Sequence, residues 1–195
     1  MNADLICVHP RENPRLICTC GIVVAMQSWT ESFQLADGGT VELRPVSDSD
    51  DRFLLSVYAS TRAEELEQAE WTDEQKEMFL RWQLDLQRRE YESRFPDAAY
   101  DVILVDRQPA GRIWVGSDDE QIRLLDIALL PQFQNRGVGT ELVRRLIKES
   151  TKQGKVLRHM VFVLNNNAER FYERLGFKPI EDFGAYKHME WRSND

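Results

Sequence analysis

Hydrophobic and polar residues change their period several times along this chain. Residues 40–45, Thr-Val-Glu-Leu-Arg-Pro, alternate and predict a strand closed by proline. Helix-capping side chains follow in residues 47–51, and then Phe53, Leu54, Val57 and Tyr58 recur at helical spacing. Thr72 with Gln75 three residues later makes a capping box. The helix it opens carries Met78, Phe79, Trp82 and Leu86 on one face and runs to about Phe95-Pro96. The period then shortens. Residues 100–105 and 111–115 are short apolar runs around the turn-forming Asp106-Arg107-Gln108-Pro109, which predicts a hairpin. A second turn spans residues 117–120, and residues 122–130 form a nearly continuous apolar run, as in a strand buried on both faces. A helix starts near Gly139 with Leu142, Val143, Leu146 and Ile147 as its apolar stripe, and residues 156–164 read as another strand. Residues 165–176 predict a short helix with asparagine at its N-cap and Gly176 just past its end, and residues 177–191 predict paired strands. Strand, two helices, three strands, helix, strand, helix, strands is the order of an α/β domain with a mixed sheet.

The 195 residues suit one domain with an appendage, and 42% hydrophobic content suits a globular core. Residues 1–30 fit no element of that order and read as an N-terminal extension, expected to be poorly ordered; residues 31–195 hold the domain. The apolar run of residues 17–26 is about half the ~20 residues that span a bilayer. Glu12, Pro10 and Pro14 interrupt the approach that a signal peptide needs. No membrane partner is expected, and the location expected is cytoplasmic. All three cysteines, Cys7, Cys18 and Cys20, lie in this extension, and no second Cys/His pair stands at ligand spacing, so no metal site is expected. The net charge of −8 argues against nucleic acid as a partner.

Chemistry concentrates in residues 129–140, Leu-Leu-Pro-Gln-Phe-Gln-Asn-Arg-Gly-Val-Gly-Thr. A buried strand enters a loop with two glycines, and an amphipathic helix starts at once. Glycines let a ligand approach backbone N–H groups. The helix start adds unpaired donors and partial positive charge, together a site for phosphate. Arg136 adds a cation. A Walker loop is excluded because no lysine follows the glycines, and the dinucleotide fingerprint needs three glycines after an early strand.

Gln134-x-x-Gly137-x-Gly139 resembles the acyl-CoA loop, Arg/Gln-x-x-Gly-x-Gly/Ala, of the GNAT superfamily of N-acetyltransferases. Residues 165–177, Asn-Asn-Asn-Ala-Glu-Arg-Phe-Tyr-Glu-Arg-Leu-Gly-Phe, resemble a second segment of that family, Asn-x-x-Ala-x-x-aromatic/Leu-Tyr-x-x-x-Gly-Phe. The order of both motifs and the strand between them match as well. Asn135 departs from the glycine many members carry, and asparagine tolerates the same unusual backbone angles. The resemblance implies a mixed, mostly antiparallel central sheet flanked by helices, whose central strands splay apart to bind acyl-CoA. It implies acetyl-CoA as co-substrate, with its pyrophosphate on backbone N–H groups of Gln134, Asn135, Arg136, Gly137, Val138, Gly139 and Thr140. The pantetheine arm would pair with the backbone of Ile127, Ala128 and Leu129 like an added strand. Acetyl transfer would pass directly to a primary amine. The acceptor would be a small molecule or a peptide, with protein N-termini and lysines as alternatives. A non-catalytic CoA-binding regulatory module and a homodimeric assembly stay open.

Tyr172 occupies the family's general-acid position, because a phenol near pKa 10 can protonate a departing thiolate. Asn165 matches a CoA-contacting asparagine and equally an N-cap. The base is less evident. Strict alternation puts Arg123, Leu125, Ile127 and Leu129 on one strand face, and none is a base. Asp126, on the opposite face, is either a structural carboxylate held by an arginine or a catalytic group. Glu64, Glu65 and Glu67 are further carboxylates of the acceptor-side region, readable also as a solvated acidic helix face. Trp71, Trp82 and Trp114 are candidates for lining the acceptor pocket, with core packing as the default. His159 and His188 are expected in packing or surface roles. The acidic balance of the chain points to a cationic acceptor.

Overall fold

A computed structural model describes residues 29–193. The described strands are β1 (Phe33–Gln34), β2 (Thr40–Pro45), β3 (Ala99–Val105), β4 (Gln108–Ser117), β5 (Gln121–Leu129), β6 (Val156–Phe162), β7 (Lys178–Phe183) and β8 (Tyr186–Trp191). They form one sheet in the order β1-β2-β3-β4-β5-β6-β8-β7. Every neighbouring pair is antiparallel except β5–β6. The helices are α1 (Asp51–Thr61), α2 (Ala63–Glu67), α3 (Asp73–Arg94), α4 (Val138–Gln153) and α5 (Asn166–Arg174). This is the mixed sheet that the order of elements predicts, in the mostly antiparallel form with flanking helices that the family resemblance implies.

Local chemistry sets the element boundaries. The β3–β4 hairpin turns at Asp106 and Arg107, both with positive φ (51° and 64°). That is the two-residue turn whose twist matches paired strands. Asp106 Oδ1 accepts the Thr40 N–H at 2.8 Å and ties the turn to β2. Gln108 and Pro109 therefore belong to β4 rather than to the turn. The capping box of α3 forms as predicted, with Thr72 N–H donating to Gln75 Oε1 and Gln75 N–H to Thr72 Oγ1.

Two layers of side chains cover the sheet. On one face, Leu142, Val143 and Leu146 of α4 and Tyr172 of α5 pack with Ile113, Val115, Ile122 and Leu124. Trp29 joins this core with only 1% of its surface exposed, so the fold begins inside the segment assigned to the extension. Residues 1–28, with all three cysteines, lie outside the described residues. On the other face, Tyr58 of α1 stacks against Arg112 of β4, which also lies over Trp114. The expected apolar stripe of α3 is not a buried one. Met78 is 68% and Trp82 51% exposed, and Leu80 is the buried residue of the helix. The reason is that α3 leans on α1, where Tyr58 Oη donates to Gln83 Oε1 at 2.9 Å, instead of lying flat on the sheet.

The feature that shapes the site is where β5 and β6 part. Their parallel pairing covers only Gln121 to Leu124 against Val156 to His159. At the last pair, the His159 Nδ1 hydrogen-bonds the Leu124 carbonyl at 2.8 Å. Beyond that point β5 continues to Leu129 and β6 to Phe162 without pairing to each other. On its other edge β5 stays bound to β4 up to Leu129, opposite Gly111.

Two outcomes follow for stability. A Cβ at Gly111 would lie 2.2 Å from the Ala128 carbonyl oxygen, a backbone atom that cannot move aside. Gly111→Ala should cost about 3 kcal/mol in urea unfolding, as overpacking does; a loss below about 0.5 kcal/mol, the scatter of neutral surface changes, would contradict this packing. Burial lowers the pKa of His159 to about 4 from the ordinary 6.5. The unfolded chain therefore binds the extra proton first as pH falls. His159 stabilises fully above about pH 6.5, and its contribution is lost as pH drops towards 4. His159→Gln should flatten that part of the stability–pH curve relative to wild type; superimposable slopes would contradict a buried neutral imidazole.

Candidate functional site

The parted strands open into a cleft of about 1650 Å³. Its lining includes Leu124 to Ala128 of β5, His159 to Phe162 of β6, the start of α5 with Tyr172, and the inner side of α3. The loop between β5 and α4 lies at the far end of β5. Pro131–Phe133 form a short 3-10 turn. The Gln134 side chain then donates from Nε2 to the Leu129 carbonyl at 2.8 Å, closing the loop onto the strand end.

Asn135 and Gly137 both take left-handed backbone angles, φ 60° and 87°. Gly137 is the N-cap of α4, and no side chain caps that helix. The N–H groups of Val138, Gly139 and Thr140 belong to a first turn that has no intrahelical carbonyl to offer them. A Cβ on Gly137 would meet nothing within 4 Å, and one on Gly139 only the Phe171 ring edge at 3.9 Å. The glycines thus leave open space above unpaired donors, which fits a pyrophosphate. Arg136 does not point there: its Nε binds Asp37 Oδ2 at 2.8 Å, and Asp106 lies 3.9 Å from its Nη2.

Tyr172 lies in the cleft wall with 3% of its surface exposed. Its ring packs against His159 at 4.5 Å, Phe171 at 5.0 Å and Phe177 at 5.3 Å between centroids. Burial pushes its phenol above the ordinary pKa, so it stays protonated at neutral pH. Asn165 Oδ1 accepts the Ala168 N–H at 3.0 Å, which is the N-cap role.

Strict alternation along β5 does not hold. The register slips between Trp114 and Val115, so Asp126 faces Trp114, Leu124 faces Val115, and Leu125 is left as a bulge. Ile127 and Leu129 consequently pack into the same core as Ile122 and Leu124, rather than sharing a face with Arg123. Asp126 emerges on the α1–α3 side. There its Oδ2 receives Arg112 Nε at 2.6 Å, and Arg112 Nη2 donates to Gln87 Oε1 of α3 at 3.3 Å. Arg112 is 1% exposed. The arginine expected for a carboxylate on a buried strand is thus present, and it comes from the neighbouring strand.

The other candidates separate. Glu65 lines the cleft and pairs with Arg62 at 3.0 Å. Glu67 is exposed, and the side chain of Glu64 lies outside the described ones. Trp114 is core, Trp82 lines the cleft, and Trp71 sits exposed against Phe79 with centroids 5.0 Å apart. His188 lines the cleft floor. Arg112 and Gln87 are cleft residues that the sequence pattern does not single out, and Tyr58 and Arg123, legible only as helix and strand positions, join them there. The one signal for Arg112 was its place in the otherwise apolar run of residues 111–115. Among the described residues, no group of three His, Cys, Asp or Glu side chains could hold a metal ion. No described helix is long and apolar enough to cross a membrane.

Comparison with known proteins agrees with this geometry. Residues 56–177 match the model of the Acetyltransferase (GNAT) family. An uncharacterized N-acetyltransferase of Methanocaldococcus jannaschii, MJ1207, is 29% identical over 123 residues, 58% of this chain and 52% of that protein. Another, CgeE of Bacillus subtilis, is 28% identical over 71 residues, 36% of this chain and 27% of its own length. The chain thus spans about half or less of these curated relatives. Among solved structures, the PaiA N-acetyltransferase of Thermoplasma acidophilum in complex with coenzyme A aligns over 78% of this chain and 99% of its own, with TM-score 0.60 and 22% identity. An acetyltransferase of Thermus thermophilus aligns with TM-score 0.59 and 20% identity over 78% of this chain and 97% of its own. With the family model matching residues 56–177, well over half of the sequence, the chain belongs to the GNAT acetyltransferase family.

Proposed function

We propose that this protein transfers the acetyl group of acetyl-CoA directly to a primary amine. The observation that carries the reading is that the unpaired edge of β5 and Tyr172 line one cleft, and that β5 runs on from it through the glycine loop into the uncapped start of α4. Backbone N–H groups of residues 135–140 would hold the pyrophosphate, while that of Gln134 is taken by the Pro131 carbonyl at 3.2 Å. The backbone of Ile127, Ala128 and Leu129 would pair with the pantetheine arm as an added strand. Asn165 would join them from the start of α5. Acetyl-CoA supplies the acyl group already activated as a thioester. Direct attack by the amine then needs no covalent enzyme intermediate.

Tyr172 gives its proton to the departing sulfur. The buried phenol is protonated at neutral pH and so has that proton to give. Asp126 takes the proton of the attacking amine, directly or through water. Its contact with Arg112 uses Oδ2 and leaves Oδ1 for that proton.

Thiol release from acetyl-CoA, measured with polyamines, aminoglycosides, amino acids and peptides, tests the proposal. Amine-dependent release is expected. Tight CoA binding with no release on any amine would make the protein a CoA-binding regulatory module instead. Tyr172→Phe should lower kcat by about 100-fold, as loss of a general acid does, and leave KM for acetyl-CoA nearly unchanged. An unaltered kcat would remove Tyr172 from the mechanism.

A further inference from the structure

The acceptor half of the cleft carries a charge pattern that the chain as a whole does not. Three of its arginines are matched by carboxylates: Arg112 by Asp126, Arg62 by Glu65, and Arg94 by Glu90. Arg123 is not matched. Among the described residues no carboxylate lies within ion-pair distance of its guanidinium, and no hydrogen-bond acceptor engages it.

Its surroundings favour an anion. Arg123 is half-buried in the cleft lining, with the Tyr91 phenol and the cations Arg94 and Arg158 as the groups that act on it. Its burial, and after it the like charges of Arg158 and Arg94, push its pKa below the ordinary arginine value. Arg158 is itself held by Glu190 at 2.7 Å. The remaining acid of the lining, Glu181, acts on His188. Arg112 adds a second unused donor: its Nη1 is buried without a partner while Nε and Nη2 are engaged. A half-buried cation without a counter-ion is costly, and an anionic ligand group removes that cost.

The register fixes the spacing. Arg123 faces Gly116 and Asp126 faces Trp114, two residues apart on β4. Their backbones are therefore about 7 Å apart on the same face of the sheet.

Resting on the transfer reading, we infer that the acceptor is a primary amine that also carries an anionic group, carboxylate or phosphate, with the anion on Arg123 and the amine near Asp126. Arg123 is then a specificity-determining residue, and the net negative charge of the chain does not describe its acceptor site.

The test pairs acceptors that differ only in that anion. α- and ω-amino acids are compared with their amides, and aminoalkyl phosphates with the unsubstituted aminoalkanes. The wild-type protein should favour the anionic member in kcat/KM by about 10- to 100-fold, the range of a charge-assisted hydrogen bond. The two arms show whether carboxylate or phosphate is preferred. Arg123→Met should bring each pair within about threefold, the scatter of such effects, without altering KM for acetyl-CoA. Arg123→Lys should keep part of the preference, which separates lost charge from lost fold. Neutral members acetylated as well as their anionic partners, or a preference unchanged in Arg123→Met, would overturn this inference alone. No thiol release with any acceptor would overturn the transfer reading and this inference with it.

Discussion

Two neighbouring strands that stop pairing must satisfy the backbone groups they no longer share. Buried N–H and C=O groups are almost always paired, with protein or with water. Here β5 and β6 part after Leu124 and His159. The first carbonyl beyond regular pairing is taken by a side chain, the His159 imidazole. Past it, the inner edge of β5 faces the cleft while its outer edge remains bound to β4. The strand is rigid on one side and available on the other, which is the arrangement an added strand of ligand requires.

The same strand is shaped a second time by its bulge. Leu125 is the extra residue, and after it the strand shows the opposite phase. Ile127 and Leu129 go to the α4 core, and Asp126 goes to the α1–α3 side. A carboxylate delivered there is largely removed from water and needs a partner, and Arg112 meets it. Removing one member of such a buried pair costs about 3–5 kcal/mol, because the other charge is then left unpaired. Asp126 is thus structurally necessary whatever its part in proton transfer. A variant at this position needs a stability measurement beside its kinetics.

Much of this was legible in the residues. Period changes located the strands and helices, Thr72 and Gln75 marked the start of α3, and the two glycines marked the loop. The two motif segments pointed to the family. What stayed hidden was long-range. Alternation cannot reveal a bulge, because the slip depends on how β5 sits against β4. The apolar face of α3 reads as buried, yet Met78 and Trp82 are exposed because α3 leans on α1. Arg136 looks like a phosphate ligand in sequence, and Asp37, 99 positions away, holds it elsewhere. The net charge averages over the whole surface and conceals the unmatched Arg123 inside one cleft.

On the proposed reading, the β5–β6 opening, the α4 start and Tyr172 serve one acyl-CoA site. A crystal structure of the protein with coenzyme A tests it most directly. The pantetheine arm is expected along Ile127 to Leu129, the pyrophosphate on N–H groups of residues 135–140, and the sulfur beside the Tyr172 hydroxyl. Coenzyme A bound outside the β5–β6 opening, or with its sulfur remote from Tyr172, would contradict the claim.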